Sequence, residues 1–581
     1  MEGSTQQFKR SDRYKKQEKR YSPRMKKTDY QLLGEEFQQQ AVKNSHLARA
    51  LEYFREKEYP TARMFLEMVL KEDPTADVYY LLALLEQNMG EIEQAISWLN
   101  HALEITPDSA DLYNALGKLL IKKGKQQEAV NAFKQALAIQ SNHIGALQNL
   151  ALSLKELDHQ QASLEISERL LAIHETESSC VNHGTILHEM NRNEEALKYF
   201  ERAIALNPNS SKAYGNAGGM LLALGQPEYA IAHLKYAITL DDSSPSLYRD
   251  LSTAYIAVHR YGEAWDMVHH TSCYTGKPEW KGEPLQGKRL FISAEQGLGD
   301  EIMFASMIPD LLKEGGEIIV QCDPRLEALY QRSFPEIKVL GMNRKDIDRS
   351  MEVDYESVIG ELPRFYRRTL DAFPIRDGYL AADPEKVIYW KERLDELGDG
   401  LKIGICWRSG LAEKIRKHQL HSVSEVKYFY PLLHIAGVTV ISLQYTDVTK
   451  ELKLVKKESG KEIVLLEGID MKNDQDELAG LMVALDLTIS VGTAVQQMAA
   501  AVQGANVWAV PSNSTPFHRL IKSPVPKDID NKKRDAEEIF IAQIEAATSI
   551  LTKATKQSNP SAWITELTNK EVEDGRLYPA T

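Results

Sequence analysis

A small residue recurs every 33 or 34 positions through the first half of the chain. The residues are Ala62, Ala95, Ala129, Ser163, Ala196, Ala230 and Ala264. In stacked helix pairs, a small residue lets two antiparallel helices approach, large apolar residues fill the space around it, and proline ends the second helix. The spacing therefore predicts an all-α superhelix of about seven helix pairs over residues 43–270.

One unit, residues 76–109, shows the repeat in full. Its characteristic residues are Tyr79, Leu82, Ala83, Gly90, Ala95, Ala102 and Pro107, and those of the next unit are Tyr113, Gly117, Gly124, Ala129, Phe133 and Ala136. At these positions the sequence resembles the tetratricopeptide repeat. Arrays of this kind usually bind other proteins, so any chemistry is expected elsewhere in the chain.

The composition narrows the class of protein. A chain of 581 residues, 43% hydrophobic and 26% charged, is expected to hold two or three globular domains. The net charge of −13 argues against a nucleic-acid-binding protein. Four scattered cysteines lack the spacing of zinc sites and fit a reducing compartment. Because the sequence has neither a transmembrane-length apolar run nor a signal-peptide core, we expect a cytoplasmic protein without a transmembrane segment.

Both ends of the chain are polar. Residues 1–42 are predicted to form a basic, disordered tail, since 1–28 hold ten Lys or Arg against three acidic residues. The alternative is an electrostatic tether to an anionic surface. Residues 557–581 are predicted to form a polar tail.

After the repeats, the pattern changes. Glycine and proline recur over 271–288, which predicts a linker. Short apolar strands then alternate with helices, which predicts parallel sheets covered on both faces. We expect two Rossmann-like halves, 289–395 and 396–556, facing each other across a cleft. The long helix predicted over 534–554 is expected to pack back across them.

Four polar clusters follow predicted strands, where open α/β sheets place their ligands. The first is "GLGD", in which Gly297 and Gly299 allow a tight turn and Asp300 sits near the start of a helix. As a carboxylate held over the cleft, Asp300 is suited to deprotonate an acceptor hydroxyl. The alternative is that Asp300 is only the N-cap of the helix.

The second and third clusters are candidates for binding a nucleotide-sugar donor. "WRSG" places Trp407, Arg408 and Ser409 at a strand end, followed by a loop with Arg416 and His418. A guanidinium and backbone N–H groups suit a phosphate, whereas the alternative is an exposed charged loop. "LQY" ends another strand with the amide of Gln444 and the phenol of Tyr445, which suit a base or sugar edge.

The fourth cluster is "SVGTAVQQMAAAV". Gly492 and Thr493 form a strand-to-helix turn, with Ala494 and Gln496 in the first turn of the helix. The free N–H groups at a helix start suit a diphosphate. The alternative is a core helix capped by Thr493.

Together, the four motifs in this order resemble the heptosyltransferase superfamily of GT-B glycosyltransferases. The match is nearest to bacterial members in which the GT-B domain follows tetratricopeptide repeats, a plan shared with O-GlcNAc transferases and repeat-linked flagellin glycosyltransferases. The resemblance implies that Asp300 is the catalytic base and that Gly492, Thr493 and Ala494 contact phosphate. The chain differs where it has Gly492 for the family's common Asp, and Gln496 and Gln497 near the family's His.

The implied activity is transfer of a sugar from a nucleotide-sugar donor to Ser or Thr of a polypeptide held by the repeats, with flagellin as a candidate acceptor. No cofactor and no metal are expected, because GT-B enzymes generally need none; the D-x-D of Asp474 and Asp476 is interpreted as helix capping. The alternatives are a non-catalytic scaffold with a nucleotide-sugar-binding domain, and an enzyme acting on a glycan or lipid.

Polar residues recur at one repeat position. Asn149, Asn182 and Asn216 are each the sixth residue of their repeat, and Asp250 is the sixth of the next. Equal positions in stacked repeats lie along one line, and an amide can pair with any peptide backbone. These residues are therefore predicted to line an acceptor groove, unless asparagine is simply common at this position.

Overall fold

The computed structural model describes residues 45–268, 277–294, 297–348, 350–374, 376–408, 425–509 and 536–573. The basic tail predicted over 1–42 lies outside these ranges. Contacts divide the chain into two compact units, and the boundary in the sequence falls between Pro208 and Asn209. Within the described ranges, no helix is both long and apolar enough to cross a membrane.

The first unit consists of paired helices. In chain order they are α1 Ser45–Arg55, α2 Tyr59–Glu72, α3 Ala76–Met89, α4 Ile92–Ile105, α5 Ala110–Lys122, α6 Gln126–Ile139, α7 Ile144–Glu156, α8 Gln160–Ile173, α9 Glu177–Glu189 and α10 Asn193–Leu206. The side chain of Ser109 accepts the N–H of Leu112 at the start of α5, and Thr176 caps α9 with a capping box. These caps fix the starts of α5 and α9.

The second unit begins with two more helix pairs. They are α11 Ser211–Ala223 with α12 Pro227–Leu240, and α13 Pro245–Ala257 with α14 Tyr261–Val268. Across both units, the seven small residues of the repeat have 0% exposed surface, as the helix-pair interpretation requires. Seven helix pairs thus extend from Ser45 to Val268, and the all-α fold class predicted for this region is confirmed.

Strands and helices alternate after the last repeat. They are β1 Arg289–Ser293, α15 Leu298–Phe304, α16 Ile308–Leu311, β2 Glu317–Cys322, α17 Glu327–Ser333, β3 Lys338–Gly341, β4 Tyr355–Val358, α18 Pro363–Tyr366, α19 Pro384–Asp395, β5 Leu401–Cys406, α20 Tyr430–Leu433, β6 Val438–Ser442, α21 Thr449–Ser459, α22 Gln475–Ala484, β7 Leu487–Ser490, α23 Ala494–Ala501, β8 Val507–Ala509, α24 Ala536–Ala554 and α25 Pro560–Glu573.

The strands form two four-stranded sheets, with orders β3-β2-β1-β4 and β6-β5-β7-β8. Every pairing is parallel. The predicted α/β region with two parallel sheets is confirmed. Beyond these strands, an isolated parallel bridge joins Ile441 of β6 to Val464.

The last repeat is joined closely to the first sheet. The indole N–H of Trp265 in α14 donates to the carbonyl of Arg367 at 2.6 Å, and Tyr261 packs edge-on against Phe373. Residues predicted as linker also belong to this region: Trp280 is 1% exposed and its backbone N–H donates to the carbonyl of Glu356 on β4. The prediction of a linker over 271–288 is therefore corrected for the described residues 277–288, because Glu279 forms a parallel bridge with Glu356 and Trp280 is buried.

The two sheets share one hydrophobic core. It joins residues beneath β1 and β2, such as Ile292 and Val320, to residues of the second half, such as Leu478 and Met498. Backbone bonds reinforce it, since the N–H of Leu380 donates to Ala501 and the N–H of Gln503 donates to Leu380. The halves therefore pack as one α/β body.

The C-terminal helices cover the second sheet. Ile544 and Leu551 of α24 and Ile564 of α25 are buried in the core of β5 and β7. The helix predicted over 534–554 was expected to pack across both halves, but its described part, α24, packs on the second half. The polar tail predicted over 557–581 is corrected too, because apolar Ile564 and Trp563 let residues 560–573 dock as a helix.

Candidate functional site

The candidate site is formed where α15 of the first half meets α23 of the second. Gly299 lies on the start of α23: a β-carbon added to it would be 3.4 Å from the Cα of Ala494 and 3.5 Å from the Cγ of Gln497. Two motifs about 190 positions apart in sequence are thereby brought together. The starts of the two helices are in contact, and the N–H groups at each start favour negative charge nearby.

Asp300 is the third residue of α15, and Gly297 occupies the N-cap. The interpretation of Asp300 as the N-cap is corrected by this placement. Burial raises the pKa of the half-buried Asp300 carboxyl, while a hydrogen bond from the backbone N–H of Gly297 lowers it by less. A carboxylate with a raised pKa is a stronger base once ionised.

The sequence did not point to Glu301, the next residue. Its side chain is 3% exposed, and burial raises its pKa to about 7. Its Oε1 accepts the N–H of Asp323 at 2.9 Å, at the end of β2. Glu301 thus ties α15 to the edge of the sheet, and nothing in the "GLGD" pattern distinguishes it.

Two buried tyrosines fix α15 from the other side. The hydroxyl of Tyr330 donates to the carbonyl of Glu301 at 3.0 Å, and the hydroxyl of Tyr379 donates to the carbonyl of Ile302 at 2.7 Å. Both side chains are almost fully buried. These bonds hold the short helix in one position, and with it Asp300.

Thr493 caps α23. Its hydroxyl accepts the N–H of Gln496 at 3.4 Å and lies 3.1 Å from the hydroxyl of Ser490. The capping interpretation of Thr493 holds, but a cap on Gln496 leaves the N–H groups of Ala494 and Val495 without an acceptor inside the helix. Gly492 is exposed, Ala494 is half-buried and Gln496 is 4% exposed.

Arg408 is engaged by the protein itself. Its guanidinium forms a two-point pair with Glu451 on α21, at 3.1 and 2.7 Å, and also contacts the Thr446 hydroxyl and the carbonyl of Asp447. The indole N–H of Trp407 donates to the same carboxylate at 3.0 Å. The predicted phosphate-binding cation is therefore neutralised by Glu451.

Gln444 is committed in a similar way. Its side-chain oxygen accepts the N–H groups of Trp407 and Arg408, both at 3.2 Å, and its amide donates to the carbonyl of Arg408 at 2.6 Å. This side chain joins the ends of β5 and β6. Tyr445 is half-buried against the core shared by the two halves. Ser409, Arg416 and His418 lie outside the described residues.

The two aspartates of the D-x-D motif, Asp474 and Asp476, have different surroundings. Asp474 takes the N-cap position of α22 but makes no side-chain cap bond. Asp476 pairs with Arg332 at 2.8 Å and Lys386 at 2.9 Å. Burial raises the pKa of Asp476, but these two cations hold it below its usual range. Within the described ranges, no three or more His, Cys, Asp or Glu side chains are grouped so that they could hold a metal ion.

The predicted acceptor residues all lie at the same helical position. Asn149 and Asn182 are the sixth residues of α7 and α9, while Asn216 and Asp250 are the sixth residues of α11 and α13. All four are half-buried. Asn149 donates to the side-chain oxygen of Asn114 at 2.9 Å, a partner that the repeat pattern did not reveal.

Removing Arg408 is expected to cost stability. Arg408→Ala leaves the Glu451 carboxylate without its guanidinium partner. A hydrogen bond to a charged group contributes roughly 1.5–3 kcal/mol to stability. We expect a loss of about 2 kcal/mol in the free energy of unfolding, measured by denaturant titration. Arg289→Ala is the matched control, since its pair with Glu317 is half-exposed. Equal, small losses in the two variants would contradict the structural role of Arg408.

Comparisons with known proteins identify the repeats. Residues 74–142 and 181–245 match models of the tetratricopeptide repeat. Protein FlbA of Caulobacter vibrioides is 31% identical over 362 residues, which are 56% of this chain and 60% of FlbA. The chain thus spans about 60% of the length of this curated relative.

Solved structures that resemble part of the chain include two that are described as repeat proteins. One from Parabacteroides merdae is 15% identical and covers 41% of this chain and 95% of its own, with a TM-score of 0.35. YrrB, described as a repeat protein with an unusual peptide-binding site, is 23% identical and covers 31% and 95%, with a TM-score of 0.28. MamA from Desulfovibrio magneticus RS-1 is 19% identical and covers 29% and 96%, also with a TM-score of 0.28.

Proposed function

We propose that the chain is a protein glycosyltransferase that transfers a sugar from a nucleotide-sugar donor to a Ser or Thr hydroxyl. One observation carries the proposal: the helix bearing Asp300 packs against the start of α23 at Gly299, where an added β-carbon would lie 3.4 Å from the Cα of Ala494. This contact supports the assignment of a base on α15 and an anion-binding helix end on α23 to one site, as the resemblance to heptosyltransferase-like enzymes implies.

The chemistry divides between these two elements. Asp300 takes the proton of the acceptor hydroxyl. The oxygen of that hydroxyl forms a bond to the anomeric carbon of the sugar at the same time. The bond from that carbon to the donor phosphate breaks, and the electron pair leaves with the nucleoside diphosphate. The N–H groups at the start of α23 stabilise the negative charge on that leaving group. No metal is assigned to this step.

The repeats supply the acceptor. Tetratricopeptide repeats bind polypeptide partners, and tethering a polypeptide beside the α/β body raises the effective concentration of its hydroxyls there. Flagellin is the first acceptor we propose, because the chain resembles repeat-linked flagellin glycosyltransferases. The proposal does not name the donor sugar, which the assay below identifies from a panel of nucleotide sugars.

The experiment is a transfer assay with the full chain, a panel of nucleotide sugars and purified flagellin. Nucleoside diphosphate release is measured together with the intact mass of the acceptor. Release that depends on the acceptor, with one sugar mass added, supports the proposal. Because Glu451 neutralises Arg408, this cation cannot stabilise the charge on a departing diphosphate, which favours a second candidate, a scaffold that binds a nucleotide sugar without turnover. Donor binding without release or mass change would select that candidate.

Replacing Asn149, Asn182 and Asn216 together by Ala is expected to weaken acceptor binding by roughly tenfold to a hundredfold, since each lost amide bond costs about 1 kcal/mol. Binding of a labelled acceptor peptide is measured by fluorescence anisotropy, and donor binding should not change. Asn131→Ala is the control, because Asn131 is exposed on α6, the second helix of its pair. Unchanged acceptor affinity in the triple variant would refute the groove.

A further inference from the structure

A cavity of about 430 Å³ lies where the last repeat helix meets the first sheet. Its lining residues are Asp266 of α14, Glu279 and Lys281 before β1, and Arg364, Phe365 and Arg368 in and after α18. None of them belongs to the candidate site around Asp300. The cavity is large enough to receive two side chains of a bound segment.

The aromatic wall of this cavity is fixed by packing. The ring of Phe365 packs against Trp280 with their centroids 4.6 Å apart, and Trp280 is 1% exposed. Gly282 has a φ of +91°, and a β-carbon added there would lie 3.2 Å from Phe365 Cδ1. The backbone therefore closes against the ring, and the exposed part of Phe365 offers a preformed apolar surface.

The charges in the cavity are unequally paired. Arg368 binds both oxygens of Asp266 at 3.0 Å, and this hydrogen bonding holds the pKa of the Asp266 carboxyl below its usual range. Arg364 reaches Asp266 only at 3.5 Å and Glu279 only at 4.0 Å. Lys281 is exposed, and no ion pair links it to any residue in the described ranges.

The lining therefore holds three cations and two carboxylates in a chain whose net charge is −13. With Asp266 satisfied by Arg368, the donors left for a ligand are the Lys281 ammonium and part of the Arg364 guanidinium. Both suit a carboxylate, and the adjacent ring suits an apolar neighbour of that carboxylate.

We propose that this cavity binds an acidic side chain of the polypeptide partner, with the next apolar side chain against Phe365. The inference rests on the proposed binding of a polypeptide by the repeats, and it adds a preference for Asp or Glu beside an aromatic or aliphatic residue. The carboxylate accepts from Lys281 and Arg364. The partner is recognised here by its charge, whereas the amides of the repeats recognise its backbone.

The test uses the full chain and two short labelled peptides, one with repeated Glu-Phe pairs spaced by Ser and one with Gln in place of Glu. We expect the acidic peptide to bind about tenfold more tightly in fluorescence anisotropy, as one charge-assisted contact allows. Lys281→Gln and Lys281→Glu should abolish this preference. Lys338→Glu, an equal charge change at an exposed position on β3, should keep it.

Two results would overturn the inference. Equal effects of Lys281→Glu and Lys338→Glu would show that only the overall charge matters. If millimolar inorganic phosphate abolishes the tighter binding of the acidic peptide, the cavity is a site for free anions.

The triple Asn→Ala variant separates the two proposals. If the repeats bind the peptide backbone, both peptides bind more weakly in this variant and the acidic preference persists. If the acidic preference persists and the triple variant has no effect on either peptide, the proposed Asn groove is wrong and the proposed acidic side-chain site is supported.

Discussion

Asp300→Asn is expected to lower the rate of sugar transfer by about 10²–10⁴-fold, the usual contribution of a positioned general base. The amide keeps the shape of the carboxylate and still accepts the N–H of Gly297, but it cannot take the proton of an acceptor hydroxyl. The melting temperature and the affinity for the nucleotide sugar should therefore stay close to those of the unmodified chain. Single-turnover transfer and thermal unfolding measure the two effects separately.

Glu301→Gln is the matched control for this substitution. Glu301 lies next to Asp300 and has a pKa near 7, so it competes for the role of base. Its 3% exposure and its bond to the Asp323 N–H assign it to structure, so we expect the Gln variant to retain transfer. Unimpaired transfer in Asp300→Asn together with loss in Glu301→Gln would move the base to Glu301.

The pH dependence of transfer follows from the same assignment. A general base acts in its ionised form, so the rate should fall as the pH drops through the pKa of Asp300. Because burial raises that pKa, the fall should begin at a higher pH than an exposed aspartate would give. In Asp300→Asn this acidic limb should disappear from the kcat/KM profile.

The periodic part of the fold was predictable from sequence because its determinants are local. Each small residue from Ala62 to Ala264 has to fit between two neighbouring helices, so its identity repeats with the helix pair. The strand and helix alternation after Lys288 is local in the same way. The junction at Trp280 was missed, because glycine and proline around it resemble a linker while a single buried indole fixes it to the sheet.

The candidate site was predictable only in part. Asp300 and Thr493 were found because a strand followed by a glycine turn marks a ligand edge. The fate of Arg408 depended on Glu451, which is 43 positions away and belongs to no recognisable motif. An exposed charged loop and a diphosphate site look alike in sequence, and only the position of that carboxylate separates them.

The packing of α15 against α23 makes Gly299 a position where a larger side chain is expected to disturb the site. Gly299→Val is expected to reduce transfer by about a hundredfold, because a displacement near 1 Å between reacting groups costs that much. The γ-carbons of valine extend beyond the β-carbon position, which is already 3.4 Å from Ala494 Cα and 3.5 Å from Gln497 Cγ. They would push α15 and Asp300 away from the start of α23.

Gly299→Ala separates this effect from a general intolerance of side chains. Its β-carbon makes ordinary van der Waals contacts at these distances, so near-normal transfer is expected. Gly219→Val controls for the stability cost of valine in a helix, since a β-carbon there meets nothing within 4 Å. Transfer rates and melting temperatures of all three variants are compared. If Gly299→Val transfers as fast as Gly299→Ala at equal stability, α15 and α23 do not act on the same substrate, and the base and the diphosphate site must be assigned to separate places.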